Sequence, residues 1–227
     1  MKTPPYLQSL EASFRQQANP GNAIPMKKYM KDRFDFFGIP SPLRKEIYRE
    51  HKLKYGLIPA GKEEEIVLWC WQQAEREYQY FAMEFLNKTA KKADEKIIEL
   101  YIFMIVNKPW WDTVDFIAAN LVGKYLKRFP KKTEALTTEW MQSENMWLQR
   151  TCLLFQLKYK SQTNTELLHQ FISRLSSSNE FFIRKAIGWI LREYSKTDAA
   201  FVLAYVEKYP LSGLSQREAL KWLKNKS

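Results

Sequence analysis

The spacing of the apolar side chains constrains this chain more than any other feature. They recur at three and four residues almost throughout. Ile97, Ile98, Tyr101, Ile102 and Ile105 form one such stripe, and Leu167, Leu168, Phe171, Ile172 and Leu175 form another. That period places them on one side of an α-helix. Only 7 of 227 residues are glycine, and alternating segments joined by turn dipeptides are missing, so a sheet protein is excluded. The predicted class is all-α. Helix starts are marked by Ser41-Pro42 and by Pro109, which is expected to open the helix carrying Trp110 and Trp111. Capping boxes are expected at Thr163…Glu166, Ser177…Glu180 and Ser215…Glu218. Polar breaks near Ser143, Ser161 and Ser176 cut the proline-free stretch between Pro130 and Pro210 into helices joined by short links.

Succession of this kind suggests repeats. Ser143-Glu-Asn-Met-Trp-Leu-Gln-Arg150 aligns with Ser177-Ser-Asn-Glu-Phe-Phe-Ile-Arg184, an offset of 34 residues. Trp147 then meets Phe181, Cys152 meets Ala186, Phe155 meets Trp189, and Lys158 meets Arg192. A third copy places Asp115 and Lys124 one unit upstream, and a weaker fourth falls near Tyr78-Gln-Tyr80. Two-helix units of this length are those of a HEAT-like array, in which each unit buries its apolar face against the next. The expected architecture is a curved α-solenoid, residues 1–227 forming a single repeat domain with a basic concave groove. Equivalent positions would line up there, with Asp115, Arg150 and Arg184 in one row and Lys124, Lys158 and Arg192 in another. The competing reading is a solvated helix face, its cations paired with Glu144 or Glu193.

Composition narrows the partners. Lys and Arg outnumber Asp and Glu by 36 to 25, a formal charge of +11. Such a surplus attracts polyanions, nucleic acid first and an anionic membrane surface second, although it also serves plain solubility. At 45% hydrophobic and 15% aromatic the chain is not disordered. No apolar run reaches the length of a membrane span, and Met1 to Phe14 lacks the pattern of a secretory signal, so an intracellular, cytoplasmic protein is expected. Cys70 and Cys152 lie in apolar helical contexts and read as reduced core residues. With His51 and His169 far apart, no metal site is expected. Nor is a nucleotide cofactor, because glycine-rich phosphate loops are missing.

Some residues suggest chemistry. Trp111 and Asp115 are four apart and share a helix face. Adjacent indoles at Trp110 and Trp111 diverge by about 100°, so both cannot fill one core stripe. A carboxylate followed by Phe116-Ile-Ala-Ala119 in an apolar setting calls for a cation, which either Arg150 or a cationic ligand could supply. Trp189 has Lys185 and Arg192 on its own face. Two indoles with a carboxylate between them suit a flat, positively charged group.

These segments also carry a resemblance. Tyr29-Met-Lys…Phe36-Phe-Gly-Ile-Pro-Ser-Pro42, Trp110-Trp-Asp-Thr-Val-Asp115, Trp147-Leu-Gln-Arg150…Phe155-Gln-Leu-Lys-Tyr-Lys160 and Glu180-Phe-Phe-Ile-Arg-Lys-Ala-Ile-Gly-Trp189-Ile-Leu-Arg-Glu-Tyr194 resemble the AlkD family of alkylpurine DNA glycosylases. The match runs in order from about residue 6 to the C-terminus. It implies a HEAT-like groove for duplex DNA and hydrolytic removal of cationic N3- and N7-alkylated purines. The lesion would stay stacked rather than flipped, and the product would be an abasic site. It assigns the catalytic cleft to Trp111, Asp115 and Trp189, and a DNA-backbone contact to Arg150. Further DNA contacts are expected at Tyr29, Ser41, Lys45, Lys158, Lys185 and Arg192. Where the family usually has paired arginines after the proline, this chain has Leu43-Arg44-Lys45. The expected protein needs no cofactor and acts as a monomer on duplex DNA containing alkylated purines, with no membrane partner. A non-catalytic DNA-structure binder would share the cationic row without needing Asp115. A protein-binding scaffold would instead favour an apolar or acidic groove.

Overall fold

The computed structural model describes residues 2–225. Among them no strand forms, only an isolated bridge between Asp35 and Glu75, so the all-α class is as the sequence predicts. The chain divides into two compact units, the first ending at Lys92 and the second beginning at Ala93.

The first unit holds α1 (Gln8–Gln16), α2 (Pro20–Tyr29), α3 (Ser41–Tyr55), α4 (Glu63–Gln72) and α5 (Arg76–Thr89). Its centre is aromatic. Phe14, Phe37 and Trp69 surround Tyr78, with centroids 5.3, 5.5 and 5.0 Å away. Pairs of this kind each contribute about 0.5–1.5 kcal/mol beyond their buried area. The loop before α3 is held by a buried carboxylate. Glu77 accepts the backbone N–H groups of Phe37 (3.2 Å), Gly38 (3.0 Å) and Ile39 (3.2 Å). Gly38 has φ +82°, and a Cβ there would sit 2.1 Å from the Asn19 carbonyl oxygen, so only glycine fits. α2 buries no side chain of its own.

The second unit begins with α6 (Ile97–Val106). A continuous rod follows, made of α7 (Trp111–Phe116), a π-helical turn (Ile117–Val122) and α8 (Gly123–Arg128). Next come α9 (Thr133–Gln142), α10 (Met146–Leu154), α11 (Thr165–Leu175), α12 (Phe181–Ser195), α13 (Ala199–Lys208) and α14 (Gly213–Lys224). α9 packs on α10, α10 on α12, and α12 most extensively on α14. Stacked hairpins therefore exist in this unit, and the aligned strings do open equivalent helices, α10 and α12. Gly188 makes the last contact possible, because a Cβ there would fall 2.4 Å from Glu218 Cβ and 2.7 Å from the Ser215 carbonyl oxygen. Cys70 and Cys152 are buried and unbridged.

Several local expectations need correcting. Ser41 is the first residue of α3, and Pro40 is its N-cap. Pro109 does not start a helix that holds both indoles, since Trp110 is an extended N-cap with φ −159° and α7 begins at Trp111. None of the three capping boxes lies where the S/T-x-x-E pattern put it. Asn164 caps α11 and Ser212 caps α14, accepting from Leu167 N (2.9 Å) and Ser215 N (3.1 Å), while Glu180 precedes α12 without a side-chain cap. An Asn next to the expected Thr163 is at least as good a cap, which moved the helix start by a residue.

Candidate active site

The site grows from Trp110-Trp-Asp-Thr-Val-Asp115. Because Trp110 stands outside the helix in extended backbone, its ring turns into the core, 5.0 Å from Phe182 and 5.9 Å from Trp147. Trp111 then starts α7 on its half-buried face, with Asp112, Asp115 and Phe116, while Thr113 and Val114 are buried. The tandem indoles thus divide into one core anchor and one residue at the surface of the site.

Arg150 reaches Asp115 from α10. Its Nε donates to Oδ1 at 2.7 Å and its Nη2 to Oδ2 at 2.8 Å, and its Nη1 donates to the backbone carbonyl of Phe182 on α12. Three helices are thereby tied at one guanidinium. The side chains of Arg150 and Asp115 are 4% and 12% exposed. Burial pushes the Asp115 carboxyl above its ordinary range, and the adjoining guanidinium opposes that shift. Both oxygens accept from a cation, an arrangement that requires the ionised form. Arg150, expected as a DNA-backbone contact, is buried and engaged with Asp115 and Phe182. It is the cation that the apolar setting of Asp115 called for.

Trp189 lies two turns after Phe182, on the same face of α12, and is half-buried. Lys185 and Arg192 flank it, and both are held by Glu218 of α14, at 2.8 Å through Oε1 and 2.9 Å through Oε2. These ion pairs hold the Glu218 carboxyl below its ordinary range, Lys185 contributing most. Lys158 falls in the turn after α10. Its Nζ donates to Asn120 Oδ1 at 2.6 Å, and Asn120 itself, in the π-helical turn, donates to the Phe116 carbonyl at 2.9 Å. Arg184, aligned with Arg150, turns back to the Ser178 carbonyl at 2.7 Å. The cationic row is thus divided. Arg150 and Arg184 serve internal contacts, while Lys158, Lys185 and Arg192 reach the surface. The acids are not those expected either: Glu193 pairs with Lys196 at 2.6 Å, and Glu218 takes the two cations beside Trp189. Glu218 and the Phe182 carbonyl escaped the sequence reading. The glycine of Ala-Ile-Gly-Trp189 was a signal for the first, marking a close helix approach at that point.

Three expected contacts lie in the first unit. Tyr29 ends α2 and is 67% exposed. Ser41 and Lys45 are exposed one turn apart on α3. Arg44 turns inward, with Nη2 3.2 Å from Glu84 and its guanidinium 4.5 Å from the Tyr80 ring centroid. Among the described residues no group of three or more His, Cys, Asp or Glu could hold a metal ion, and no helix is long and apolar enough to cross a membrane.

Known proteins place this arrangement in a family. The DNA alkylation repair enzyme family matches residues 10–223. A solved structure described as a predicted DNA alkylation repair enzyme from Enterococcus faecalis is 34% identical with a TM-score of 0.83, over 91% of this chain and 97% of that one. No curated protein sequence matches. With the family spanning α1 to α14, this chain belongs to the DNA alkylation repair enzymes.

Proposed function

We propose that the protein is a monofunctional DNA glycosylase that removes cationic N3- and N7-alkylated purines from duplex DNA and leaves an abasic site. It works as a monomer, inside the cell with the chromosome. The reading includes a HEAT-like concave surface for the duplex. The observation that carries it is the Asp115 carboxylate, oriented at two points by Arg150 yet still partly open on the Trp111 face of α7.

Cleavage of the N-glycosidic bond moves positive charge from the base onto the deoxyribose. An alkylated purine is already cationic and departs as a neutral base, so no acid is required. Asp115 stabilises the developing sugar cation and positions the attacking water, which needs only the acceptor sites that Arg150 leaves open. Arg150 keeps the carboxylate ionised and correctly turned. Trp111 and Trp189 hold the sugar and the cationic base by CH–π and cation–π contacts. Tyr29, Ser41, Lys45, Lys158, Lys185 and Arg192 contact the DNA backbone, and the lesion stays stacked.

Incubation with duplex carrying N7-methylguanine, followed by alkaline cleavage at abasic sites, tests this. The wild-type protein is expected to produce strand breaks. Asp115→Asn is expected to bind the duplex with unchanged affinity and to lose excision by about 10²-fold or more. Equal rates for variant and parent, or no cleavage by the parent, would overturn the reading.

A further inference from the structure

Residues 185, 189 and 192 project from α12 within about 60° of one another. A Lys at −4 and an Arg at +3 are within reach of an indole between them, and stacking on it would bring each a modest gain. Here they do not stack. Among the described residues no ring and no cation stacks on Trp189. Each of its two cationic neighbours is instead drawn sideways to a separate oxygen of one carboxylate, Glu218, at 2.8 and 2.9 Å. The backbone and Cβ that carry this carboxylate are fixed. Its Cβ lies over Gly188, where α12 and α14 approach too closely for any side chain, and Ser215 Oγ fastens α14 to the Arg184 carbonyl at 2.9 Å. The position is built.

We propose that Glu218 is a specificity-determining positioning residue: it holds Lys185 and Arg192 away from the Trp189 indole, so that the ring accepts a cationic base rather than the protein's own cations. This rests on the glycosylase reading for the identity of the base. The charge balance supports it. Two free cations beside Trp189 would attract phosphate but repel a positively charged purine. One shared anion lowers that repulsion while leaving a net positive patch. Glu218 therefore trades general DNA affinity for recognition of the lesion.

Opposite movements of two quantities follow in Glu218→Gln. Undamaged duplex is expected to bind about 3–10-fold more tightly, and the slope of log K against log salt to steepen by about 0.9 for each phosphate newly engaged. Excision of N7-methylguanine at saturating protein is expected to fall about 3–10-fold, as one cation–π contact is lost to a competing side chain. Glu218→Asp, which keeps the charge, restores both toward wild type. Weaker or unchanged binding of undamaged duplex by Glu218→Gln, a shallower salt slope, unchanged excision, or collapse of the fold in a melting curve would each overturn the proposal. The two readings fail separately. Wild-type protein inert on alkylated duplex ends the glycosylase reading, even where Glu218→Gln still tightens binding to undamaged duplex. An active wild type whose Glu218→Gln variant binds undamaged duplex no better ends the sequestration alone.

Discussion

Among the described residues, the buried Glu77 of the first unit and the half-buried Asp115 of the second are carboxylates satisfied in different ways. Glu77 is fully buried and takes three backbone N–H groups from residues 37–39. Asp115 takes a single guanidinium at two points and keeps 12% of its side chain in solvent. An acid surrounded by main-chain donors and closed off from solvent has no open side to offer a ligand, and what it does is fix a loop. An acid bound by one side chain with open acceptor sites can still meet a ligand. Burial alone does not mark a functional carboxylate, but the type of partner and the remaining access do.

The contrast breaks most easily at Glu77. Glu77→Ala orphans three buried N–H groups and should cost about 3 kcal/mol or more, lowering the melting temperature by about 6–12 °C for a chain of this size. Excision per folded molecule should stay near wild type. A lower rate with an unchanged melting curve would make Glu77 a functional acid and erase the distinction from Asp115.

His51 sharpens the same contrast, as an ionisable group of the first unit with no role at a site. It is 5% exposed among the rings of Tyr6, Tyr55, Phe81 and Phe85, and burial pushes it down from 6.5 to about 4. The folded protein keeps it neutral, whereas the unfolded chain takes up a proton near pH 6.5. Its contribution is therefore complete above pH 6.5 and is lost as the pH falls toward 4, by up to about 3 kcal/mol. Melting curves across that window should show the loss in the parent and a flatter profile in His51→Leu. Parallel profiles would mean that His51 takes up its proton in the fold as readily as in the unfolded chain.

The smallest effect is expected at Lys158, which is exposed and bonded to Asn120. Lys158→Ala should weaken binding to all duplex sequences alike and flatten the salt slope by about 0.9, with little change in melting temperature. An unchanged slope would place Lys158 away from the DNA.

The helical class and the register of the second unit were readable because apolar period and repeat spacing are local signals. The spacing allows Asp115 either Arg150 or a cationic ligand as its partner, and the structure joins it to Arg150. The divergence of Trp110 and Trp111 was also readable, although its cause is the extended backbone at Trp110 and not two positions on one helix. What escaped depends on tertiary docking. Glu218 read as part of a capping box because nothing near it in sequence reports that α14 lies on α12. Glu77 carried no signal at all, since its partners are main-chain groups about 40 residues away. Cap positions slipped for a different reason: Asn164 and Thr163 compete for one role, and small differences in capping strength decide between them.

Arg150 meets Phe182 in two ways, donating to its backbone carbonyl and lying 5.9 Å from the centroid of its phenyl ring. Main-chain oxygens are present whatever residue is encoded. Exchanging the ring at 182 would therefore reshape the apolar neighbourhood of Trp110 and Trp147 and remove the cation–π contact, while the main-chain half of the grip on the arginine stays.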